Sequence, residues 1–131
     1  MDAAKTKQYY DALGIENVCQ CDYCRNYVKE IKGTYPLLTK HLQTMGIDIE
    51  KPFETMPLEP DPDGNIEYIG TQYVVMGDPS DFQETDISGM HIGIADSHPM
   101  TDIQEEHFVL EISEIILKWT IQQYDQKGNE S

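Results

Sequence analysis

The chain has 131 residues, 39% of them apolar, and 24 Asp and Glu against nine Lys and Arg give it a formal net charge of −15. Its length is typical of one domain, and its eight Tyr supply large side chains for a core. So much negative charge repels phosphate backbones and anionic lipids, so nucleic acid and membrane are excluded as direct ligands and a basic protein is the expected partner.

The N-terminal third predicts short helices. A first helix covers residues 6–13 and is closed by Gly14, a second follows from the helical spacing of apolar residues in 27–31, and a third runs from Pro36 to Gly46. The sequence contains no apolar run as long as a signal peptide or a membrane span requires, and we therefore expect a cytoplasmic protein.

The middle of the chain predicts extended structure. Residues 51–65 hold four of the seven prolines, which excludes a helix there. Within them, residues 61–65 predict a β-turn; a calcium loop is disfavoured because the glycine is fourth instead of sixth. Residues 66–76 then predict a strand or hairpin, and residues 87–94 predict one further strand.

The last third is ambiguous between helix and strand. Phe108, Ile112, Ile115 and Trp119 fit a helical stripe, and pattern alone slightly favours that reading. An alternation is also present, with a change of face near Ser113 and Glu114 that a β-bulge would explain. Its members are Phe108, Leu110 and Ile112, and then Ile115, Leu117, Trp119 and Ile121.

Three cysteines lie within six residues, at Cys19, Cys21 and Cys24. The C-x-x-C spacing of the last two can place both sulfurs on one zinc ion, and Cys19 could add a third. A fourth ligand would then come from a distant histidine, for which the candidates are His41, His91, His98 and His107. Because no second ligand pair follows downstream, the pattern of a structural zinc site is incomplete.

A redox function is a second interpretation of the cysteines. A helix N-terminus and Arg25 would lower a thiol pKa, whereas Glu16 and Asp22 oppose this. A thioredoxin-like site also needs a preceding buried strand, and residues 15–18 are a poor match because the segment is short and two of its four residues are polar.

A purely structural role is the interpretation that the residues favour most. Cysteine packs as a small apolar residue, so Cys21 and Cys24 could fix a helix start against the core. Arg25 and Asn26 would then serve as local hydrogen-bonding residues.

The sequence shows no catalytic signature. Asp96, Ser97 and His98, with His91 nearby, lack the strained elbow that marks a hydrolase serine, and we expect them to form a loop between strands. The glycines match neither phosphate-binding fingerprint. We therefore expect no catalytic residues and no bound cofactor other than zinc in the alternative interpretation.

Three segments carry a resemblance to a known family. They are Cys21-x-x-Cys24-Arg25-Asn26-Tyr27, Leu42-x-x-x-Gly46-Ile47-Asp48-x-x-Lys51-Pro52, and Leu110-Glu111-Ile112-Ser113 followed by Trp119. With them, roughly residues 15–121 resemble a family of small bacterial proteins of unassigned activity. The resemblance implies N-terminal helices followed by an antiparallel sheet, so it favours strands in the last third. The chain departs from it at Lys118, where a proline is usual, and at the additional Cys19.

Together these observations predict one α+β domain over residues 1–131, with an ordered core over about 6–121 and a frayed end at 122–131. Short N-terminal helices are expected to pack on one face of an antiparallel sheet of about four strands drawn from residues 53–121. The expected function is that of a non-enzymatic acidic interaction protein, with a small zinc-binding or thiol-redox protein using Cys21 and Cys24 as the alternative.

Overall fold

The computed structural model describes residues 1–121, so the prediction of a frayed end at 122–131 lies outside the described residues. Three helices come first, α1 (Ala3–Ala12), α2 (Asp22–Thr34) and α3 (Pro36–Thr44). All three were predicted, but α1 begins three residues earlier than expected because Asp2 caps it by accepting a hydrogen bond from the backbone N–H of Lys5. No helix within residues 1–121 has the length and apolar character to cross a membrane.

A single antiparallel sheet follows the helices. Its strands are β1 (Glu54–Pro57), β2 (Asn65–Met76), β3 (Thr85–Ile87), β4 (Met90–Ile94), β5 (His107–Ser113) and β6 (Ile115–Lys118). The strand order is β1-β2-β5-β4-β3, and β6 also pairs with β2. The long β2 pairs with β6 through residues 65–68 and with β5 through residues 71–76. The α+β class and the N-terminal position of the helices are thereby confirmed.

The sheet has six strands where about four were predicted. Residues 87–94 are not one strand: Ser88 and Gly89 have positive φ angles of 53° and 85° and form the tight turn of a hairpin in which Ile87 pairs with Met90. The helix that pattern alone favoured in the last third is wrong. Residues 107–118 instead form β5 and β6, which break near Ser113, where the change of face predicted an irregularity.

The helices cover one face of the sheet, and hydroxyl groups of buried tyrosines connect the two layers. The Tyr10 hydroxyl of α1 donates to the Val74 carbonyl of β2 at 2.7 Å. The Tyr27 hydroxyl of α2 lies 2.7 Å from that of Tyr73 in β2. All three side chains are at most 2% exposed, so their hydroxyls need these partners to avoid a desolvation cost.

Candidate metal centre

The three cysteines lie together where the chain enters α2. Cys21 is the capping residue of this helix, and its Sγ accepts the backbone N–H of Cys24 at 3.4 Å. The Sγ of Cys19 accepts the backbone N–H of Cys21 at 3.5 Å. As a result, the three Sγ atoms all lie within 4.8 Å of one another. The same turn that caps α2 therefore brings the three sulfur atoms close together.

The cluster is open to solvent on one side and packed against the sheet on the other. Cys24 is buried, and its Sγ lies 3.4 Å from the Oγ1 of Thr55 in β1. Cys19 and Cys21 are exposed. An ion could therefore reach the sulfurs from solvent without any opening of the core.

The surroundings of Cys19 and Cys24 shift the pKa values of these two thiols in opposite directions. The backbone N–H of Cys21, and then hydrogen bonds from the thiols of Cys21 and Cys24, lower the pKa of Cys19. Burial raises the pKa of Cys24 to about 12, although its contact with Thr55 acts in the opposite direction. Cys19 therefore gives up its proton more readily than Cys24, and a cation would be needed to hold all three groups as thiolates together.

The donor set suits a soft cation. Thiolate sulfur is a preferred ligand of zinc, with a Zn–S distance of about 2.3 Å, and sulfurs this close need only small side-chain rotations to share one ion. The predicted histidine ligand is not found among the described residues, however. Within residues 1–121 no His, Asp or Glu belongs to the group, and His91 instead lies on β4 with its Nδ1 2.8 Å from the Oδ1 of Asp86. The described residues supply three donor atoms.

Two other interpretations of the cysteines also change. Residues 15–17 form a short 3-10 helix instead of the buried strand that a thioredoxin-like context needs. Arg25 pairs with Asp22 one turn away, as a local role predicts. The prediction of a local role is wrong for Asn26, whose Nδ2 donates to the Lys118 carbonyl 92 residues away at 2.9 Å.

The remaining sequence candidates take structural positions. Residues 96–99 lie outside strands and helices, as predicted, and the Nδ1 of His98 contacts the carbonyl of Pro99 at 2.7 Å. The Nδ1 of His91 contacts Asp86, and among the hydrogen bonds of residues 1–121 none joins either imidazole ring to the Ser97 hydroxyl. Residues 61–65 form the predicted turn, in which the Gly64 N–H donates to the Asp61 carbonyl at 3.1 Å.

The fold and the thiols define an α+β protein with a cysteine cluster at a helix start. Comparison of the chain with protein-family models, curated proteins and solved structures finds no match. The resemblance to small bacterial proteins therefore stays a prediction, and the function has to be argued from the site itself.

Proposed function

We propose that this protein binds zinc reversibly through Cys19, Cys21 and Cys24, and that it does so as a binding protein without catalysing a reaction. The observation that carries the proposal is the convergence of the three Sγ atoms within 4.8 Å. Cys19 is the informative member of the group. A purely structural helix start would need Cys21 as the capping residue and Cys24 as a buried apolar residue. Cys19 is exposed and does not cap the helix, yet its sulfur lies close to the other two.

The exposure of the cluster on one side supports an exchangeable zinc ion and not a permanently bound structural one. Structural zinc sites are closed by four protein ligands, whereas sites with three protein ligands keep a position for water or another molecule. Here the described residues provide three donors, and two of the three cysteines are exposed. The strongly negative protein also attracts cations over long distances.

Zinc content and zinc affinity test this proposal. Protein purified under reducing conditions without added metal is analysed for zinc, and its affinity is then measured by competition with a chromophoric chelator. About one zinc per chain is expected. Cys19→Ser should weaken zinc binding by at least tenfold because a thiolate ligand is lost, and it should leave the fold unchanged because Cys19 is exposed.

Gln20→Ser is the matched control, since it alters the exposed neighbour of Cys19 without removing a sulfur. Equal zinc affinity in the wild type, Cys19→Ser and Gln20→Ser would contradict the proposal. The proposal would also be contradicted if the protein bound no zinc although a thiol-specific reagent detected all three cysteines in the reduced state. Recovery of a disulfide from protein purified without reductant, together with metal-free chains, would favour the thiol-redox alternative instead.

The charge of the chain supports a second function, association with a basic protein. With 24 acidic against nine basic side chains, the surface would steer a positively charged partner toward itself. The protein immobilised at low ionic strength should retain proteins of high isoelectric point and release them as salt is raised. If the retained proteins have the same isoelectric-point distribution as the input, association through charge is excluded.

A further inference from the structure

A cavity lies beside the cysteine cluster, between the end of α1, the outer side of α2 and the turn at residues 48–51. Its volume is about 470 Å³ and Cys19 forms part of its wall. Small-molecule sites commonly occupy clefts of roughly 300–1,000 Å³. The cavity is therefore large enough for a ligand of several carbon atoms.

One part of the cavity wall is apolar. Leu13 follows α1, Val18 precedes the cysteines and Val28 lies on α2, and all three line the cavity. Each of these side chains is only partly buried, so the cavity keeps apolar surface in contact with water. A hydrocarbon group placed there would remove that surface from water, which stabilises the complex by about 25 cal/mol for each Å² buried.

The charge of the cavity wall is opposite in sign to that of the molecule. Arg25, Lys29 and Lys51 line it, which makes three of the nine Lys and Arg in a chain of net charge −15. Two of these cations already have carboxylate partners, since Arg25 pairs with Asp22 and Lys51 pairs with Asp48 of the wall itself. Asp48 lies 3.9 Å from the Nζ of Lys51, and Glu50 lies 3.6 Å from the Nζ of Lys32.

Lys29 is the cation best placed to receive a ligand. Its Nζ donates a hydrogen bond of 3.4 Å to the Thr120 carbonyl, and within residues 1–121 it forms no ion pair with a carboxylate. Arg25, Val28 and Lys29 are spaced at i, i+3 and i+4, so one face of α2 presents two cations around an apolar side chain. This arrangement matches an anion with an apolar body.

We propose that this cavity binds a small organic carboxylate with a hydrocarbon chain, the carboxylate toward Arg25 and Lys29 and the chain toward Leu13, Val18 and Val28. The site is separate from the zinc proposal, since none of these five residues is a thiol ligand. Amines of the same chain length should be rejected because the cations would repel them.

Octanoate is the probe, and octylammonium is its counterpart of opposite charge. Each is titrated into the ¹⁵N-labelled protein at constant low ionic strength, and backbone amide shifts are followed. Octanoate should give saturable shifts confined to the cavity residues, whereas octylammonium should give none there. Saturable binding of both probes at the cavity with equal affinity would overturn the charge argument, and the absence of saturation with octanoate up to millimolar concentrations would overturn the site.

Variants locate the binding. Lys29→Gln should weaken octanoate binding by about two- to fivefold, as expected for one partly exposed charge contact. Lys40→Gln is the matched control, because it removes the same charge from an exposed position of α3 outside the cavity wall. Equal effects of the two variants would contradict the site. Cys21→Ser removes a thiol of the cluster that lies outside the cavity wall, so it should weaken zinc binding and still bind octanoate, and the two proposals can fail separately.

Discussion

The hydroxyl of Tyr73 connects three parts of the molecule. It donates to the Ile49 carbonyl at 2.7 Å, and it lies 2.7 Å from the Tyr27 hydroxyl. Because its own proton is used on Ile49, Tyr27 must donate to it. This chain of hydrogen bonds joins α2, β2 and the segment after α3 inside the core, where burial raises the pKa of both phenols well above the usual value.

Tyr73→Phe should lower the free energy of unfolding by about 1–3 kcal/mol, because the buried Ile49 carbonyl loses its donor. Chemical denaturation monitored by circular dichroism measures the change. Tyr9→Phe is the control, since the Tyr9 hydroxyl forms no hydrogen bond within residues 1–121 and its ring packs at the edge of the core. A loss no greater than that of Tyr9→Phe would contradict the role given to Tyr73.

Zinc binding should release protons, because Cys24, with a pKa raised to about 12, holds its proton at neutral pH and must lose it to become a ligand. As the pH falls, protons compete better for the sulfur, so the affinity for zinc should fall by about tenfold per pH unit for each displaced proton. Calorimetry in buffers of different ionisation enthalpy counts the protons released. An affinity that does not change between about pH 6 and about pH 8 would contradict thiolate ligation.

At the scale of elements, Asn26 ties α2 to the end of β6. Its side chain is 0% exposed, and its Oδ1 accepts the backbone N–H of Thr120 at 2.8 Å while its Nδ2 donates to the Lys118 carbonyl. Residues 119–121, which follow β6, form no further strand, and this amide holds them against α2 together with the hydrogen bond from the Thr120 hydroxyl to Glu30. Asn26 is thus a long-range connector located beside the cysteines.

Asn26→Ala should reduce the free energy of unfolding by about 2–3 kcal/mol, because it leaves backbone groups of residues 118–121 without partners. Thermal and chemical unfolding measure this loss. Asn17→Ala removes a single exposed hydrogen bond, to the Gly14 N–H, and serves as the control with an expected change below about 1 kcal/mol. Similar losses in the two variants would contradict the connecting role of Asn26.

The helices could be predicted because their signals are local. Pro36 and Gly46 bracket α3, and the apolar spacing in 27–31 indicates α2. The hairpin of β3 and β4 was missed because the alternation of residues 87–94 continues through the turn, although Ser88-Gly89 between apolar residues is itself a hairpin signal. The connection from Asn26 to Lys118 could not be predicted, since nothing in a sequence pattern relates residues 92 positions apart.

For the whole molecule, the core and the cysteine cluster are largely independent. Within residues 1–121, the core contains 23 buried apolar residues from α1 to α3, the segment after α3 and the sheet, and Cys24 is the one cysteine among them. The cluster could be predicted because its three members lie within six residues. The cavity beside it was missed because its wall is drawn from segments between Leu13 and Lys51 that only the fold brings together.

Removal of zinc by a chelator should therefore leave the protein folded. The far-ultraviolet circular dichroism spectrum should be unchanged. The midpoint temperature of thermal unfolding should fall only by the amount that corresponds to the lost free energy of zinc binding, which depends on the free zinc concentration. Small zinc domains behave differently and unfold without the metal. Loss of the helical signal on chelation would show that the ion holds the fold together and would contradict reversible binding on a preformed scaffold.

The most direct test of the central claim is X-ray absorption spectroscopy of the zinc-loaded protein. Three sulfur scatterers at about 2.3 Å from zinc, with one lighter atom completing the shell, are the result that joint binding by Cys19, Cys21 and Cys24 predicts. Cys19→Ser should reduce the sulfur count to two. A wild-type spectrum with two sulfurs or fewer, or one that Cys19→Ser leaves unchanged, would contradict the three-thiolate site.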